Sequence, residues 1–284
     1  MKSILVFQTD FTYKEGAVCS MYGVVKSVDR ELEIIDGTHE IPQFDIWSAS
    51  YRLYQSMRFW PEGTVFVSVV DPGVGTSRRA CVAKTTDGYY VVTPDNGSLT
   101  HIKNKTGIIE VRAIDENVNR LRGKGTDGVS VFHGRDLFAY CAAKLAAGII
   151  SFGEVGLAYE LDRIVMLPLE YPELSNMAVC GIFEINDPNF GNIWTNIPQS
   201  LFTAAGFRYG DLLNLKVIHD GIPCFDMDIA YQPSFGYVKQ GEPVIYTNEL
   251  MNIGLAVSMG NAIKRYRLGY GSGWKVQFRK AQGK

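Results

Sequence analysis

A short segment with two glycines and two arginines follows a strongly apolar stretch of the chain. The stretch reads GTVFVSVV over residues 63–70 and is typical of a buried β-strand, and DPGVGTSRR follows it. Gly73 and Gly75 allow a sharp turn with open space beside the backbone, so the chain can return Arg78 to the carboxylate of Asp71. Such a pair serves either a reaction or the structure alone, and the segment leaves both open. It lacks the GK[ST] ending of a phosphate-binding P-loop.

Three strand-like runs of the first half of the chain end in aspartate. Asp10 follows ILVFQT, Asp36 follows LEII and Asp71 follows VFVSVV. In open α/β sheets the carboxyl ends of the strands line the ligand crevice, so the three carboxylates are predicted to converge there. The alternative is that aspartate simply favours turns and helix caps.

One histidine lies in a more distinctive setting than the other three. GRDLFAYCAAKLAAG predicts a helix over residues 134–147, and His133 precedes it at the end where the helix dipole favours negative charge. A site there can stabilise a hydroxide or a halide, although a lone histidine is often structural. No two of the four histidines have metal-ligand spacing, so no metal site is predicted. The other three histidines are His39, His101 and His219.

A second candidate site lies in the stretch NDPNFGNIWTNI. Asp187 supplies an acceptor, Asn192 an amide, and Phe190 and Trp194 aromatic walls. This mixture suits a flat, polar, cationic metabolite, with rings for a heterocycle or a sulfonium. Turn residues beside a core tryptophan explain the same string equally well.

The elements that must position these residues change character along the chain. Strand-like and helical periods alternate over the first 150 residues, which predicts an α/β fold with a mostly parallel sheet and helices on both faces. A TDG turn predicts a hairpin within it. Short alternating strands dominate the C-terminal part. We place an N-terminal α/β/α domain over residues 1–165 and a smaller antiparallel β domain over 178–284, after a linker-like stretch with two prolines.

Composition restricts the class of protein further. The net charge is -2, with 28 Lys and Arg scattered among 30 Asp and Glu, so no nucleic-acid partner is expected. No span approaches the roughly 20 apolar residues of a membrane helix, and no targeting segment is apparent, so no membrane partner is expected. The five cysteines are widely spaced without a CxxC pair. They predict reduced core residues in a cytoplasmic protein.

Several strings then occur together in a characteristic order. They are QTDFT, IIDGTHEIPQFDIWSASYRL, FWPEGTVFVSVVDPGVGTSRRA, VTPDNGSLT, FHGRDLFA, DPNFGNIWTNI and TNELMNIGLAVSMGNA. In this order the chain resembles the S-adenosyl-L-methionine (SAM) hydroxide adenosyltransferases, the adenosine-forming SAM hydrolases related to fluorinase and chlorinase. The resemblance implies an α/β/α domain, a C-terminal antiparallel β-barrel, and a homotrimer with active sites between subunits. It also implies that Asp71, Arg78 and His133 position and activate water.

The resemblance extends to positions that bind the substrate. Asp10 matches the acid that holds the ribose hydroxyls, and Phe44 stands where halogenating relatives have tryptophan. The stretch of Asn248 and Glu249 matches the one that holds the methionine carboxylate, but Glu249 departs from a serine-like residue there. The other matching positions lie near the methionine amine, the adenine edge, the aromatic walls and the adenine backbone contacts: Asp187, Asn192, Phe190, Trp194, Phe235, Val257 and Met259.

The nucleophile separates the hydrolases from the halogenases of this family. In the fluorinase, neutral side chains replace Asp71 and His133 and hold a halide, whereas a carboxylate repels that anion at close range. The expected reaction is therefore attack of water at C5′ of SAM, giving adenosine and L-methionine with no cofactor. A halide-using adenosyltransferase and a non-catalytic SAM or adenosine-binding protein are the alternatives.

Overall fold

The protein consists of two compact units. The computed structural model describes residues 2–123 and 128–281, and the chain divides into Met1–Leu167 and Pro168–Lys284. The first unit is α/β and the second is mostly β-structure, so the predicted fold class is confirmed. Within the described ranges, no helix has the length and apolarity needed to cross a membrane.

The first unit is built on a six-stranded sheet with the order β2-β1-β3-β5-β4-β6. β1 pairs in parallel with β2 and β3, and β3 with β5, whereas β4 is antiparallel to both of its neighbours. The hairpin of β4 and β5 is the one predicted from the TDG turn. The strands are β1 (Leu5–Thr9), β2 (Ile34–Thr38), β3 (Val65–Val69), β4 (Ala80–Thr85), β5 (Tyr90–Pro94) and β6 (Ile108–Ala113).

Helices cover both faces of this sheet. Leu5 and Phe7 of β1 lie in a core with α1 and α4, whereas Val6 between them packs in a second core with α2 and α3. The side chains divide in this way because alternate residues of a strand point to opposite faces. The helices are α1 (Ala17–Val28), α2 (Ile46–Met57), α3 (Thr100–Lys105) and α4 (Tyr140–Ala146), with short 3₁₀ turns at Phe152–Val155 and Leu161–Arg163.

The helix predicted over residues 134–147 is present but is not uniform. Its first part, Gly134–Ala139, is π-helical, and α4 continues from it without a break. Gly148 follows in the left-handed region at φ 71°, where glycine commonly ends a helix. π-Helical turns are rare and occur frequently at functional sites, and this one begins directly after His133.

The second unit is a curled antiparallel sheet. Its strand order is β11-β10-β14-β8-β9-β13-β12, with β7 added beside β8. The backbone N–H of Gln232, after β11, donates to the carbonyl of Ile245 in β12 at 2.9 Å, so the two ends of the order touch at an isolated bridge without forming a ladder. The sheet therefore forms a half-barrel, in agreement with the predicted antiparallel β-barrel. The strands are β7 (Glu173–Ser175), β8 (Ala178–Asp187), β9 (Asn192–Pro198), β10 (Leu212–His219), β11 (Ile222–Ala230), β12 (Pro243–Thr247), β13 (Asn252–Val257) and β14 (Trp274–Lys280).

Two short helices and one 3₁₀ turn complete the second unit. They are α5 (Gln199–Ala204), α6 (Ala262–Tyr266) and the turn Phe235–Tyr237. Apolar residues that face inward from the curled strands form one core with Phe202 of α5 and Ala262 of α6.

All five cysteines are free. Cys81 and Cys141 are buried as predicted, but Cys19 and Cys224 are exposed, so the prediction that every cysteine lies in the core is wrong. Cys19 is next to the buried stripe of α1 rather than on it, and Cys224 lies on β11 at the end of the strand order.

Candidate active site

A buried ion pair lies at the carboxyl end of β3. Asp71 follows the strand, and the chain turns back so that Nε of Arg78 donates to Oδ1 of Asp71 at 3.0 Å while Nη2 donates to Oδ2. The two side chains are only 6% and 7% exposed, respectively. A two-point contact of this kind fixes the orientation of both groups as well as their separation.

The turn between these two residues requires glycine at one of its two glycine positions but not at the other. Gly75 has φ 77°, and a Cβ there would approach the carbonyl oxygen of Ser130 to 3.0 Å. Gly73 has an ordinary conformation, and a Cβ there would make only van der Waals contact with Arg78. The prediction that the two glycines allow a sharp turn with open space beside it is therefore supported by the backbone conformation at Gly75 and not at Gly73.

The third predicted residue joins the same cluster. His133 immediately precedes the π-helical turn and is 5% exposed, and its Nδ1 lies 3.2 Å from Nη2 of Arg78. A Cβ on Gly134 would approach the rings of Phe11 and Phe132 to 3.1 and 3.2 Å, so glycine lets this turn pack closely. The structure thus brings together the three residues that the sequence analysis placed in one site.

The contact between Arg78 and His133 determines the protonation of the imidazole. Every guanidinium nitrogen is a donor only, so Nδ1 of His133 must accept. The ring is therefore neutral, with its proton on Nε2. Burial lowers the pKa of His133 below its ordinary 6.5, and the positive charge of Arg78 lowers it further.

Two polar atoms of this cluster have no protein partner. Among the described residues, neither Nη1 of Arg78 nor Nε2 of His133 makes a hydrogen bond, although both are buried. Buried donors are rarely left in this state. The cluster therefore presents two free N–H directions beside a carboxylate, which is an arrangement that can bind a small hydrogen-bonding species.

Asp10 and Phe44 are joined by a hydrogen bond. Oδ2 of Asp10 accepts from the backbone N–H of Phe44 at 2.9 Å. Burial raises the pKa of Asp10, and the negative charge of Asp71 also acts in that direction. Phe44 has φ 66° and its side chain is 60% exposed. This backbone conformation costs a non-glycine residue roughly 1–3 kcal/mol and is typical of functional sites.

Asp36 belongs to a hydrogen-bond network of its own, whereas the charge of Asp71 acts on the pKa of Asp10, so the predicted convergence is supported for Asp10 and Asp71. Asp36 lies inside β2 rather than after it, and its carboxylate accepts from Tyr13 and Tyr22. His39, 3.1 Å from Asp36, connects this separate network to Thr9, at 2.8 Å. The strand continues past the aspartate because Thr38 still pairs with Gln8 of β1, after a register shift that skips Gly37.

In the second unit, Asp187 and Asn192 lie at the two ends of the turn between β8 and β9. Nδ2 of Asn192 donates to Oδ2 of Asp187 at 3.2 Å. Phe190 in this turn is 69% exposed. Gly191 has φ 73°, and a Cβ there would collide with Asn261 at 2.3 Å, so the turn packs closely on the segment after β13.

An aromatic group lies on the adjacent strands. Nε1 of Trp194 donates to the hydroxyl of Tyr246 at 2.7 Å, and the rings of Phe235 and Tyr246 are 4.7 Å apart. A Cβ on Gly254 would meet Tyr246 at 2.8 Å and Trp194 at 3.1 Å, so glycine makes room for both rings. Tyr246 is not among the residues predicted from the sequence, where its only signal is an aromatic side chain in the strand-like run EPVIYT.

Two carboxylates also affect this aromatic group electrostatically. Burial raises the pKa of Tyr246, and the carboxylates of Asp187 and Glu249 act in the same direction. The tyrosine is therefore a neutral hydroxyl with negative groups around it. Such surroundings suit a ligand that carries positive charge.

The remaining predicted residues lie at the two ends of β13. Asn248 precedes it, and its Oδ1 accepts from two backbone N–H groups while its buried Nδ2 has no partner among the described residues. Glu249 is exposed in the same turn. Val257 ends the strand, and Met259 beyond it has φ 52° and is 86% exposed. These two groups are thus separated by the length of the strand.

No group of three or more histidine, cysteine, aspartate and glutamate side chains within residues 2–123 and 128–281 has the geometry of a metal site. The fold and the cluster together define a class of two-unit proteins. It has an α/β unit with a carboxylate, a guanidinium and a neutral imidazole at the carboxyl edge of its sheet, followed by a half-barrel unit.

Family models identify this class. The N-terminal domain model of the SAM hydroxide adenosyltransferases matches residues 5–156, and the C-terminal domain model matches residues 183–275. The chain therefore belongs to the SAM hydroxide adenosyltransferase family.

Relatives of both named activities are similar to the chain. An (R)-S-adenosyl-L-methionine hydrolase from Methanocaldococcus jannaschii is 35% identical over 220 residues, which cover 76% of this chain and 74% of that protein. A fluorinase from Actinoplanes sp. is 28% identical over 277 residues, covering 89% and 90%. The crystal structure of an uncharacterized conserved protein from Thermotoga maritima superposes with a TM-score of 0.86 at 32% identity, covering 98% of this chain and 100% of that chain.

Proposed function

We propose that this protein hydrolyses SAM to adenosine and L-methionine. Family membership and relatives that are named (R)-S-adenosyl-L-methionine hydrolases support the reaction class. The observation that carries the proposal is the buried cluster of Asp71, Arg78 and His133, with two N–H donors left unpartnered beside a carboxylate.

This cluster suits a water molecule better than a halide. Water accepts hydrogen bonds from Nη1 of Arg78 and Nε2 of His133 while it donates to the carboxylate of Asp71. A halide accepts from the same donors, but it has no proton to give and is repelled by the carboxylate. The residues therefore favour the hydrolase over the fluorinase activity of the family.

Asp71 is the group that takes the proton from this water. A guanidinium in a protein stays protonated, so Arg78 is not a base. His133 has a proton on Nε2, and its Nδ1 faces Arg78. In the proposed step the water oxygen bonds to C5′ and the C5′–S bond breaks. The bonding electrons go to sulfur, which gives neutral methionine thioether, and the water proton passes to Asp71.

Much of the rate is expected from positioning. The sulfonium is already an activated leaving group, so the reaction as proposed requires no metal and no redox cofactor. What it requires is a water held in line with the C5′–S bond, and the two-point Asp71–Arg78 contact supports this orientation.

The proposed substrate contacts follow the predicted positions. Asp10 holds the ribose hydroxyls, and Phe44 contacts the substrate from the position where halogenating relatives have tryptophan. Asp187 faces the methionine amine, Glu249 belongs to the stretch near the methionine carboxylate, and the rings near Tyr246 flank the adenine. The remaining proposed contacts are Phe190, Asn192, Trp194, Phe235, Asn248, Val257 and Met259.

We further propose that the protein is a homotrimer in which the α/β unit of one subunit and the β unit of the next complete each active site. The five free cysteines support a reducing compartment, and we propose the cytoplasm. Size-exclusion chromatography with light scattering tests the trimer, and a monomer with full activity would contradict shared sites.

Incubation with SAM in oxygen-18 water tests the reaction. The expected products are methionine and adenosine with one heavy oxygen at C5′, identified by mass spectrometry of the nucleoside. Parallel reactions with chloride and fluoride are expected to give no 5′-halo-5′-deoxyadenosine. Unchanged SAM would overturn the proposal, and a halogenated nucleoside would assign the protein to the halide-using enzymes.

A further inference from the structure

The backbone pairing of β3 with its neighbour β5 ends before the strand reaches Asp71. The register runs from Val65 with Tyr90 to Val67 with Val92 and stops there. On the other side, β1 pairs with β3 as far as Val69. The last residues before Asp71 thus lack a regular ladder on their β5 side.

Where this backbone ladder is missing, side chains from the end of β5 and the residues after it make the hydrogen bonds to β3. Oγ1 of Thr93 donates to the carbonyl of Ser68 at 2.8 Å, and Nδ2 of Asn96 donates to the carbonyl of Val70 at 2.9 Å. Val70 directly precedes Asp71. The amide of Asn96 thus holds the peptide group that joins the strand to the acid.

The orientation of this amide is itself fixed. Oδ1 of Asn96 accepts from the hydroxyl of Ser98 at 2.7 Å and from its backbone N–H at 3.3 Å. Because only the amide oxygen can accept these bonds, the nitrogen must face Val70. Ser98 is fully buried.

The preceding residue, Asp95, holds the other end of the turn. Its backbone N–H donates to the carbonyl of Arg79 at 2.9 Å. Its carboxylate accepts from Nε of Arg79 at 3.1 Å, and Nη2 of Arg79 lies 3.0 Å from Oδ2 as an ion pair. That carboxylate is 1% exposed and also accepts from Tyr159 and from the backbone of Val165, so its position is strongly determined.

We infer that Thr93, Asp95 and Asn96 are positioning residues that set the geometry of Asp71 and Arg78. This inference rests on the proposed function. Residues 71–78 form a turn without regular secondary structure, and the backbone–backbone hydrogen bonds within it are local, such as Val74 N–H to the carbonyl of Asp71 at 3.2 Å. Asp95 and Asn96, which directly follow β5, fix the backbone on either side of this turn. The separation of acid and guanidinium therefore depends on them.

Asn96→Asp is the sharpest test because it changes one NH₂ group to an oxygen at constant size. The new oxygen would face the carbonyl of Val70 and repel it, while the other oxygen still accepts from Ser98. We expect kcat to fall by about ten- to a hundred-fold, the cost of misplacing a reacting group. The KM for SAM and the Kd for adenosine are expected to stay within about two-fold, because Asp71 faces the water and not the bound nucleoside.

Ser98→Ala is the matched control, because it removes the hydroxyl bond to Oδ1 of Asn96 but keeps the backbone N–H of residue 98 that orients the amide, and so leaves the donation to Val70. Its kcat is expected within about two-fold of wild type. Should Asn96→Asp fail to fold, Thr93→Val and Thr93→Ser provide the second test, since serine keeps the hydroxyl that bonds to Ser68 and valine does not. Only valine is expected to lower kcat.

Three results would overturn the inference. They are a wild-type kcat in Asn96→Asp or Thr93→Val, an equal loss in Ser98→Ala, or a kcat loss matched by equal changes in KM and Kd. A wild-type protein that leaves SAM unchanged would instead overturn the proposed function. In that case a crystal structure of Asn96→Asp still decides, because an unchanged 3.0 Å contact between Asp71 and Arg78 would refute positioning.

Discussion

Nη2 of Arg78 lies 3.2 Å from Nδ1 of His133, and this contact assigns different roles to the two nitrogens of the imidazole. Nδ1 accepts from a group that can only donate, so Nε2 carries the proton. The histidine is therefore a hydrogen-bond donor toward the reaction space. It is not the base that an Asp–Arg–His cluster first suggests.

Substitutions of His133 can distinguish whether this residue acts as a hydrogen-bond donor or as a general base. Glutamine places an amide N–H near the position of Nε2 but cannot take up a proton at neutral pH. We expect His133→Gln to retain kcat within about ten-fold of wild type, whereas His133→Ala loses about a hundred- to a thousand-fold, the usual cost of removing one such donor. Steady-state release of methionine from SAM measures both.

Asparagine is the matched control for that experiment. It has the same amide but is shorter, so it reaches the position of Nδ1 and leaves the place of Nε2 empty. His133→Asn is therefore expected to resemble alanine rather than glutamine. Equal losses in all three variants would mean that His133 accepts the proton.

Asp71→Asn keeps the size of the proposed proton acceptor and removes its charge. We expect kcat to fall by about 10²- to 10⁴-fold, the range of general-base contributions. Adenosine binding, measured by calorimetry, should be retained because the ribose is assigned to Asp10. Turnover at the wild-type rate would exclude Asp71 as the acceptor.

The pH dependence of turnover follows from the lowered pKa of His133. Burial and Arg78 hold this pKa below 6.5, and the charges of Glu116 and Asp71 oppose them only in part. Protonation would place a second positive charge beside Arg78 and remove its acceptor. We expect kcat/KM to be constant through neutral pH and to fall only as the pH drops through a value below 6.5.

His133→Gln tests the assignment of this acidic limb. The variant has no imidazole at the site, so the fall attributed to His133 should disappear from its profile. An unchanged limb in the variant, or a wild-type limb at or above pH 6.5, would show that another group controls it.

The sequence predicts the positions at which elements end better than it predicts the contacts between side chains. Asp71 and His133 were found because an acid after an apolar strand and a histidine before a helix are local patterns. Asp36 fits the first pattern, but β2 continues past it and pairs with β1. The strand end depends on a neighbour more than 20 residues away in the sequence, which no local pattern contains.

The same reason explains the residues that were missed. Tyr246 matters through its bond to Trp194, and Asn96 through its bond to Val70, each formed between distant strands. The family resemblance gave the positions that are proposed to contact the substrate. It did not give the residues behind them, because these are defined by tertiary hydrogen bonds.

A buried histidine outside the site predicts how stability depends on pH. Nδ1 of His101 lies 2.9 Å from the hydroxyl of Ser50, and burial lowers the pKa of His101 to about 3. The unfolded chain takes up this proton near pH 6.5, whereas the folded protein does not until about pH 3. The stabilisation is therefore complete above pH 6.5 and is lost as the pH falls, by about 2 kcal/mol at pH 5.

Chemical denaturation of wild type and His101→Gln at several pH values measures this effect. The glutamine variant is expected to be less stable at neutral pH but to lose less free energy of unfolding between pH 6.5 and pH 5. Parallel curves for the two proteins would contradict the assignment.

Tyr246→Phe tests the aromatic group of the second unit. The change removes the hydroxyl that accepts from Nε1 of Trp194, which is 5% exposed, and leaves a buried donor without a partner. We expect the free energy of unfolding to fall by about 1–3 kcal/mol. Because the proposed adenine site uses these rings, KM for SAM should also rise while kcat changes little, which stopped-flow and steady-state assays distinguish.

Trp194→Phe in the same background is the control. Once Nε1 is absent, the tyrosine hydroxyl has no donor to satisfy, so Tyr246→Phe should lower the free energy of unfolding by less than it does in the wild-type protein. Additive losses would mean that the two side chains act independently.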